Sequence, residues 1–129
     1  MDQPAFGQIV KEHKSLTPRQ EALAERNLFN AILTLESVEE CRAFFHDLCT
    51  PAELQALADR WAVVGLLKDG LPYREIHKQT GVSLTTIGRV ARCLMKGDGG
   101  YQIASERLHT HVNHKITQKL AKPRNGVHA

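Results

Sequence analysis

Helix start signals recur along this chain in a way that suits a packed set of helices and little else. Thr17-Pro18-Arg19-Gln20, Ser37-Val38-Glu39-Glu40 and Thr50-Pro51-Ala52-Glu53 each place a hydroxyl three residues ahead of a Glu or Gln. At that spacing the two side chains satisfy each other's orphan backbone amides, which closes a helix N-terminus. Pro51 stands where its missing amide hydrogen costs nothing. Behind the first signal Leu23, Leu28, Ile32 and Leu35 fall at helical spacing, predicting a helix to about Leu35. Behind the second, Val38, Cys41, Phe44, Phe45 and Leu48 form a compact apolar stripe. Behind the third, Leu54, Leu57, Ala58, Trp61, Val64 and Gly65 share a face, which assigns Trp61 to the core. Gly70 before Leu71-Pro72 stops that helix, because glycine favours the position past a helix end and proline cannot continue it.

Composition agrees. With 129 residues, 42% hydrophobic, the chain suffices for one domain with a modest core. Aromatics are only 5%, including one Trp, so Leu, Ile, Val and Ala must build that core, which suits an all-α fold and opposes a β-sandwich. Three cysteines, Cys41, Cys49 and Cys93, are an odd number without CxxC spacing, so neither a disulfide framework nor a zinc knuckle is indicated. No apolar run is long enough for a membrane span, and the start MDQPAFGQIVKEHK is no signal peptide, which predicts a cytoplasmic protein.

From Pro72 the pattern reads helix, turn, helix: Tyr73 to Thr80, Gly81-Val82, then a second helix over 83–95. Such a unit needs a residue tolerant of positive φ at the sharp turn, and Gly81 supplies it. Ile76, Val82, Ile87 and Val90 stand where both helices would meet, and Ser83 caps the second. The fifth position of such motifs is usually Ala or Gly, whereas this chain carries His77. Gly97-Asp98-Gly99-Gly100 ends the unit. The organisation expected is an N-terminal arm over 1–16 that is not packed, a helical domain over 17–101, and a polar basic tail over 102–129 with only a weak helical period.

Charge is uneven. Residues 1–70 hold 7 basic and 11 acidic side chains, residues 71–96 hold five basic against one acidic, and residues 97–129 five against two. With Ile87, Val90, Ala91 and Leu94 turned inward, the rotation of 100° per residue leaves Thr85, Thr86, Gly88, Arg89 and Arg92 outward or on the flank. Gly88 there costs roughly 1 kcal/mol of helix propensity relative to alanine, so close approach of a base pair or backbone is a reason for it. Together with Arg74 and Lys78 on the first helix, and Ser83 at the start of the second, this face suits double-stranded DNA. Arg74 has the geometry for guanine edges, and the threonines and Arg89 suit phosphates. The plainer alternative is an ordinary αα corner.

His109, His111 and His114 invite a metal reading, but HxH spacing does not put both rings on one helical face and no Cys or carboxylate stands beside them, so no metal site is assigned. Lys115, Lys119, Lys122 and Arg124 fit nonspecific phosphate contacts or solubility. Cys93, followed by Leu94, reads as buried. No phosphate-binding glycine loop, carboxylate pair or nucleophile-base arrangement is found, so no enzyme is predicted.

LFNAILTLESVEECRAFFHDLCT, PAELQALADRWAVVGLL, YREIHKQTGVS and TTIGRVARCLMKGDGGY together resemble the tryptophan repressor superfamily, and its YerC/YecD branch in particular, from about Glu25 to Tyr101. DLCT and the RVARCL string followed by GDGGY are the most specific parts. The resemblance implies an all-α helix-turn-helix repressor acting as an intertwined homodimer associated with the nucleoid. Two reading heads roughly 34 Å apart would meet a pseudo-palindromic operator. Leu84, Thr85 and Gly88 would read bases partly through water. It also implies a candidate effector pocket at Arg60, Arg89, Thr50 and Cys93. There the family's corepressor indole lies between the two arginines, but Val90 replaces the glycine that makes room for it and Cys93 replaces a ligand-holding serine. No cofactor is therefore expected, tryptophan included. The competing function is an adaptor or sigma-like module that uses the same helix pair on another protein of the transcription machinery.

Overall fold

The computed structural model describes residues 15–121, except for the side chains of 111–119 and 121. Among the described residues there are six helices: α1 Pro18–Ile32, α2 Val38–Leu48, α3 Pro51–Lys68, α4 Tyr73–Thr80, α5 Leu84–Lys96 and α6 Gly100–Ala121. Two compact units divide between Thr50 and Pro51.

In the first unit the caps predicted at Thr17 and Ser37 form. The Thr17 hydroxyl accepts from the Gln20 amide at 3.1 Å while Gln20 Oε1 accepts from the Thr17 amide at 2.9 Å, a complete capping box. Ser37 accepts from the Glu40 amide at 3.1 Å, but Glu40 reaches back one residue further than expected, to the Glu36 amide at 3.0 Å. Helix α1 ends at Ile32, short of the expected Leu35. The Leu33 amide closes onto Phe29 and Ala31, and the Thr34 hydroxyl donates to the Ala31 carbonyl, so local hydrogen bonds end the helix before the apolar period does. Phe44 and Phe45 meet edge to face with centroids 5.5 Å apart. Neither α1 nor α2 contains a buried residue.

The second unit holds the core. Val63 and Val64 from α3, Ile76 from α4, Val82 from the turn, and Ile87 and Val90 from α5 form one buried cluster, with Leu66, Leu67, Leu71, Leu94 and Tyr101 packed around it. Helix α3 packs on both α4 and α5, α4 packs on α5, and α6 touches α5. Between α3 and α4 the Leu71 amide donates to the Leu66 carbonyl at 3.2 Å and the Gly70 amide to that of Leu67 at 3.0 Å. This is a Schellman closure that also returns Leu71 to the core.

Two burial expectations are corrected. Trp61 is 40% exposed and Leu57 43%, because α3 turns the Val63 and Val64 edge to its neighbours and leaves the Leu57 and Trp61 edge outside that core. Trp61 keeps one aromatic neighbour, Tyr101, at a centroid distance of 6.4 Å. Cys93 is exposed, since the inward stripe of α5 is Ile87, Val90, Ala91 and Leu94, and Cys93 lies beyond its edge.

Beyond Tyr101 the backbone is helical through Ala121. Ile103 and Leu108 remain about half exposed, so the segment lacks the one-sided apolar stripe that makes a helix legible in sequence. Within the expected arm only Ser15 and Leu16 are described. The side chains of His111, His114, Lys115 and Lys119, like Lys122 and Arg124, lie outside the described residues. Among the described residues no group of His, Cys, Asp or Glu could hold a metal ion, and no helix is long and apolar enough to cross a membrane.

Gly81 has φ +76°, the left-handed conformation that ends α4, and its amide donates to the His77 carbonyl at 2.8 Å. A side chain there strains the backbone by about 1–2 kcal/mol. Gly81→Ala should lower the free energy of unfolding by that amount in urea denaturation. An unchanged midpoint would contradict the turn geometry.

Candidate nucleic-acid interface

The angle between α4 and α5 is fixed from inside by Ile76, Val82, Ile87 and Val90, of which Ile76 and Ile87 are fully buried. These are the four side chains that sequence reasoning placed at the crossing. With their apolar edges engaged, both helices leave their polar edges exposed. Arg74 and Lys78 on α4, and Thr85, Arg89 and Arg92 on α5, are all exposed. Glu75, the single acid of this stretch, accepts from Gln79 at 3.1 Å along α4.

Helix α5 begins at Leu84, with Ser83 as its cap. The Ser83 oxygen accepts from the Thr86 amide at 3.1 Å, and its hydroxyl donates to Thr86 Oγ1 at 2.9 Å. Thr86 is thereby half-buried and turned back on the cap, whereas Thr85 projects freely from the first turn. Leu84 is 49% exposed, an apolar side chain at the outer end of the helix where nothing in its own unit covers it fully.

Gly88 and Arg92 come together in a shallow notch beside Tyr73, Ala91, Met95 and Lys96, of about 490 Å³. A Cβ built on Gly88 meets no atom within 4 Å, so no packing inside the chain demands glycine there. The notch has a cationic rim from Arg92 and Lys96 and an exposed aromatic ring in Tyr73. Tyr73, Met95 and Lys96 were not singled out from sequence. Lys96 was visible there only as part of the local positive charge. The juxtaposition of Tyr73 with α5 depends on the helix crossing, which residue spacing does not reveal.

The candidate effector residues differ in exposure. Arg60 on α3 is half-buried and its Nε is enclosed without a hydrogen-bond partner among the described residues, while Arg89 and Cys93 are exposed on α5. Thr50 is the last residue of the amino-terminal unit. Val90, expected to fill ligand space, is 1% exposed and belongs to the core cluster. A larger groove, about 670 Å³, lies between α3 and α6 beside Trp61, Gly65 and Leu108, and neither Arg60 nor Arg89 lines it.

Comparison with known proteins gives a consistent answer. Residues 24–109 match the sequence profile of the family described as Trp repressor protein. The uncharacterised protein YerC of Bacillus subtilis is 48% identical over 81 residues, which span 63% of this chain and 78% of YerC. A Staphylococcus aureus protein provisionally described as a Trp repressor is similar in structure, with TM-score 0.65 and 44% identity, over 67% of this chain and 87% of its own. A TrpR-like protein of Eubacterium eligens gives TM-score 0.65 and 40% identity over 67% and 90% of the respective chains.

Because space beside Gly88 is open, Gly88→Ala should raise the unfolding free energy by about 1 kcal/mol through helix propensity alone. Chemical denaturation checks this, and a destabilised variant would show that the notch is tighter than described.

Proposed function

Since the chain belongs to the Trp repressor protein family, we propose that it is a DNA-binding regulator of transcription, a repressor that lays α5 in the major groove. The observation that carries this is the solvent-facing ridge made by Arg74, Lys78, Thr85, Arg89 and Arg92, set at a fixed angle by the buried crossing beneath it. Major-groove width admits one α-helix, and the N-terminal part of that helix, with Leu84, Thr85 and Gly88, is the part that reaches base edges. An exposed Leu84 and a glycine without internal cause suit that approach. Arg74 suits a guanine edge, and Lys78, Arg89 and Arg92 suit phosphates on either side.

The same reading calls for two copies. Neither α1 nor α2 buries a residue, and Leu23, Phe29, Leu33, Val38 and Leu48 are each at least half exposed. Such helices gain too little from burial to offset the ordering of their backbone, so a second copy of the chain is the natural cover. Leu57 and Trp61 of the second unit are exposed too, and a homodimer would have reason to cover them. Twofold symmetry then matches the protein to a pseudo-palindromic operator. A cytoplasmic, nucleoid-associated location follows from that role.

Tryptophan is not the effector on this account. The Cys93 thiol is a poor substitute for a hydroxyl in holding an amino-acid headgroup, whereas Val90, buried in the core, does not bear on the ligand space.

Three outcomes follow. Affinity for a duplex selected from a random library should fall with salt by about 0.9 log unit per phosphate neutralised, and Arg92→Ala in both protomers should reduce that slope by about 2; a salt-independent complex would refute the reading, and crosslinks to polymerase without any DNA affinity would favour an adaptor. The thermal midpoint should rise with protein concentration, as for any folded state held by mass action. A monomer at micromolar concentration with a fixed midpoint contradicts the dimer. Finally, millimolar tryptophan should leave the binding isotherm unmoved, and a tighter isotherm would restore it as corepressor.

A further inference from the structure

His77 departs from the small residue usual at the fifth position of such a helix pair, and the structure gives the side chain a task. Its Nδ1 lies 2.7 Å from the Val82 carbonyl oxygen. A carbonyl only accepts, so Nδ1 carries the proton and donates. The backbone carbonyl of the same residue receives the Gly81 amide at 2.8 Å. Thr80, one turn position later, donates its hydroxyl to the Ile76 carbonyl at 2.7 Å and accepts the Val82 amide at 3.1 Å. Both polar groups of the Val82 backbone are therefore held by side chains of α4, while the Val82 side chain is only 7% exposed in the core.

We propose that His77, with Thr80, is a positioning clamp that locks the Gly81-Val82-Ser83 turn and so presets the angle of α5 in the free protein, making His77 a determinant of sequence discrimination without touching a base. The inference rests on the DNA-binding reading above. The physical ground is the turn's brevity: three residues carry the chain from α4 to α5, and each has at least one backbone group fixed by α4 or α5. Gly81 is tied by its amide, Val82 by both groups, and Ser83 by its carbonyl, which accepts the Ile87 amide at 3.0 Å. A short side chain at position 77 would leave the Val82 carbonyl without its donor, and the turn would sample alternative angles. A reading helix that samples angles spreads its contacts over many registers, so it loses more on the preferred sequence than on any other. Nonspecific binding, carried by phosphate charge, tolerates that motion.

The test uses the full chain and four forms: wild type, His77→Ala, His77→Asn and His77→Gln. Asparagine places an amide nitrogen the same number of bonds from Cβ as Nδ1, whereas glutamine places it one bond further. In the free protein, amide hydrogen exchange of Val82, Thr86 and Ile87 should speed up about tenfold or more in His77→Ala, on the scale of one lost hydrogen bond. Val63 and Val64 should remain protected, and His77→Asn should restore the slow exchange. With a duplex selected from a random library by the wild type, and a scrambled duplex of equal composition, His77→Ala should lower the affinity ratio about tenfold. His77→Asn should recover most of it and His77→Gln should not. Unchanged exchange at the turn, an equal loss on both duplexes, or rescue by glutamine as good as by asparagine would each overturn the clamp. Should His77→Ala lose protection at Val63 and Val64 as well, the asparagine and glutamine pair decides alone. If the wild type prefers no duplex, the DNA-binding reading fails, and the exchange measurement still settles the clamp.

Discussion

Val63, Val64, Ile76, Val82, Ile87 and Val90 exclude water from the place where three helices meet, and the disposition of the outward side chains of α4 and α5 follows from that contact. The cluster is small and wholly β-branched. Stiff side chains of this kind lose little rotamer freedom on packing and tolerate few alternative arrangements. A crossing built from them holds α4 and α5 at one angle. The cationic ridge is then a consequence of what remains outside once the apolar edges are engaged.

The same economy leaves the rest of the chain short of burial. Helices α1 and α2 are well capped at their starts, yet caps contribute about 1 kcal/mol each and do not replace a core. Their apolar residues, and the Leu57 and Trp61 edge of α3, have chemistry suited to burial and no cover within their own unit. In the proposed function a second chain covers these helices, and the twofold symmetry of that assembly would set where the two reading heads stand.

Much of this was legible in sequence because the governing interactions are local. Caps act over three residues, so Thr17 with Gln20 and Ser37 with Glu40 could be read directly. The turn at Gly81 and the inward set of Ile76, Val82, Ile87 and Val90 follow from helical spacing on both sides of one glycine. What sequence misplaced depends on how helices rotate against neighbours far away in the chain. Trp61 lies among apolar residues on α3, but the Val63 and Val64 edge is the one that packs. Cys93 sits one position before a half-buried leucine and still points outward. The helix beyond Tyr101 was faint because its exposed residues do not segregate to one side. His77 looked like a blemish on the motif, and only coordinates reveal that its ring reaches the Val82 carbonyl.

The account centres on a single claim, that the Leu84 to Arg92 edge of α5, with Arg74 beside it, is the surface that meets duplex DNA. A titration of isotopically labelled protein with a selected duplex, followed through backbone amide resonances, addresses it residue by residue. The predicted result is that shifts concentrate at Arg74, Leu84, Thr85, Gly88, Arg89 and Arg92 and along the Tyr73 to Lys96 notch, leaving Leu57 and Trp61 unmoved. Shifts gathered on the Leu57 and Trp61 edge, with the α5 ridge silent, would contradict it.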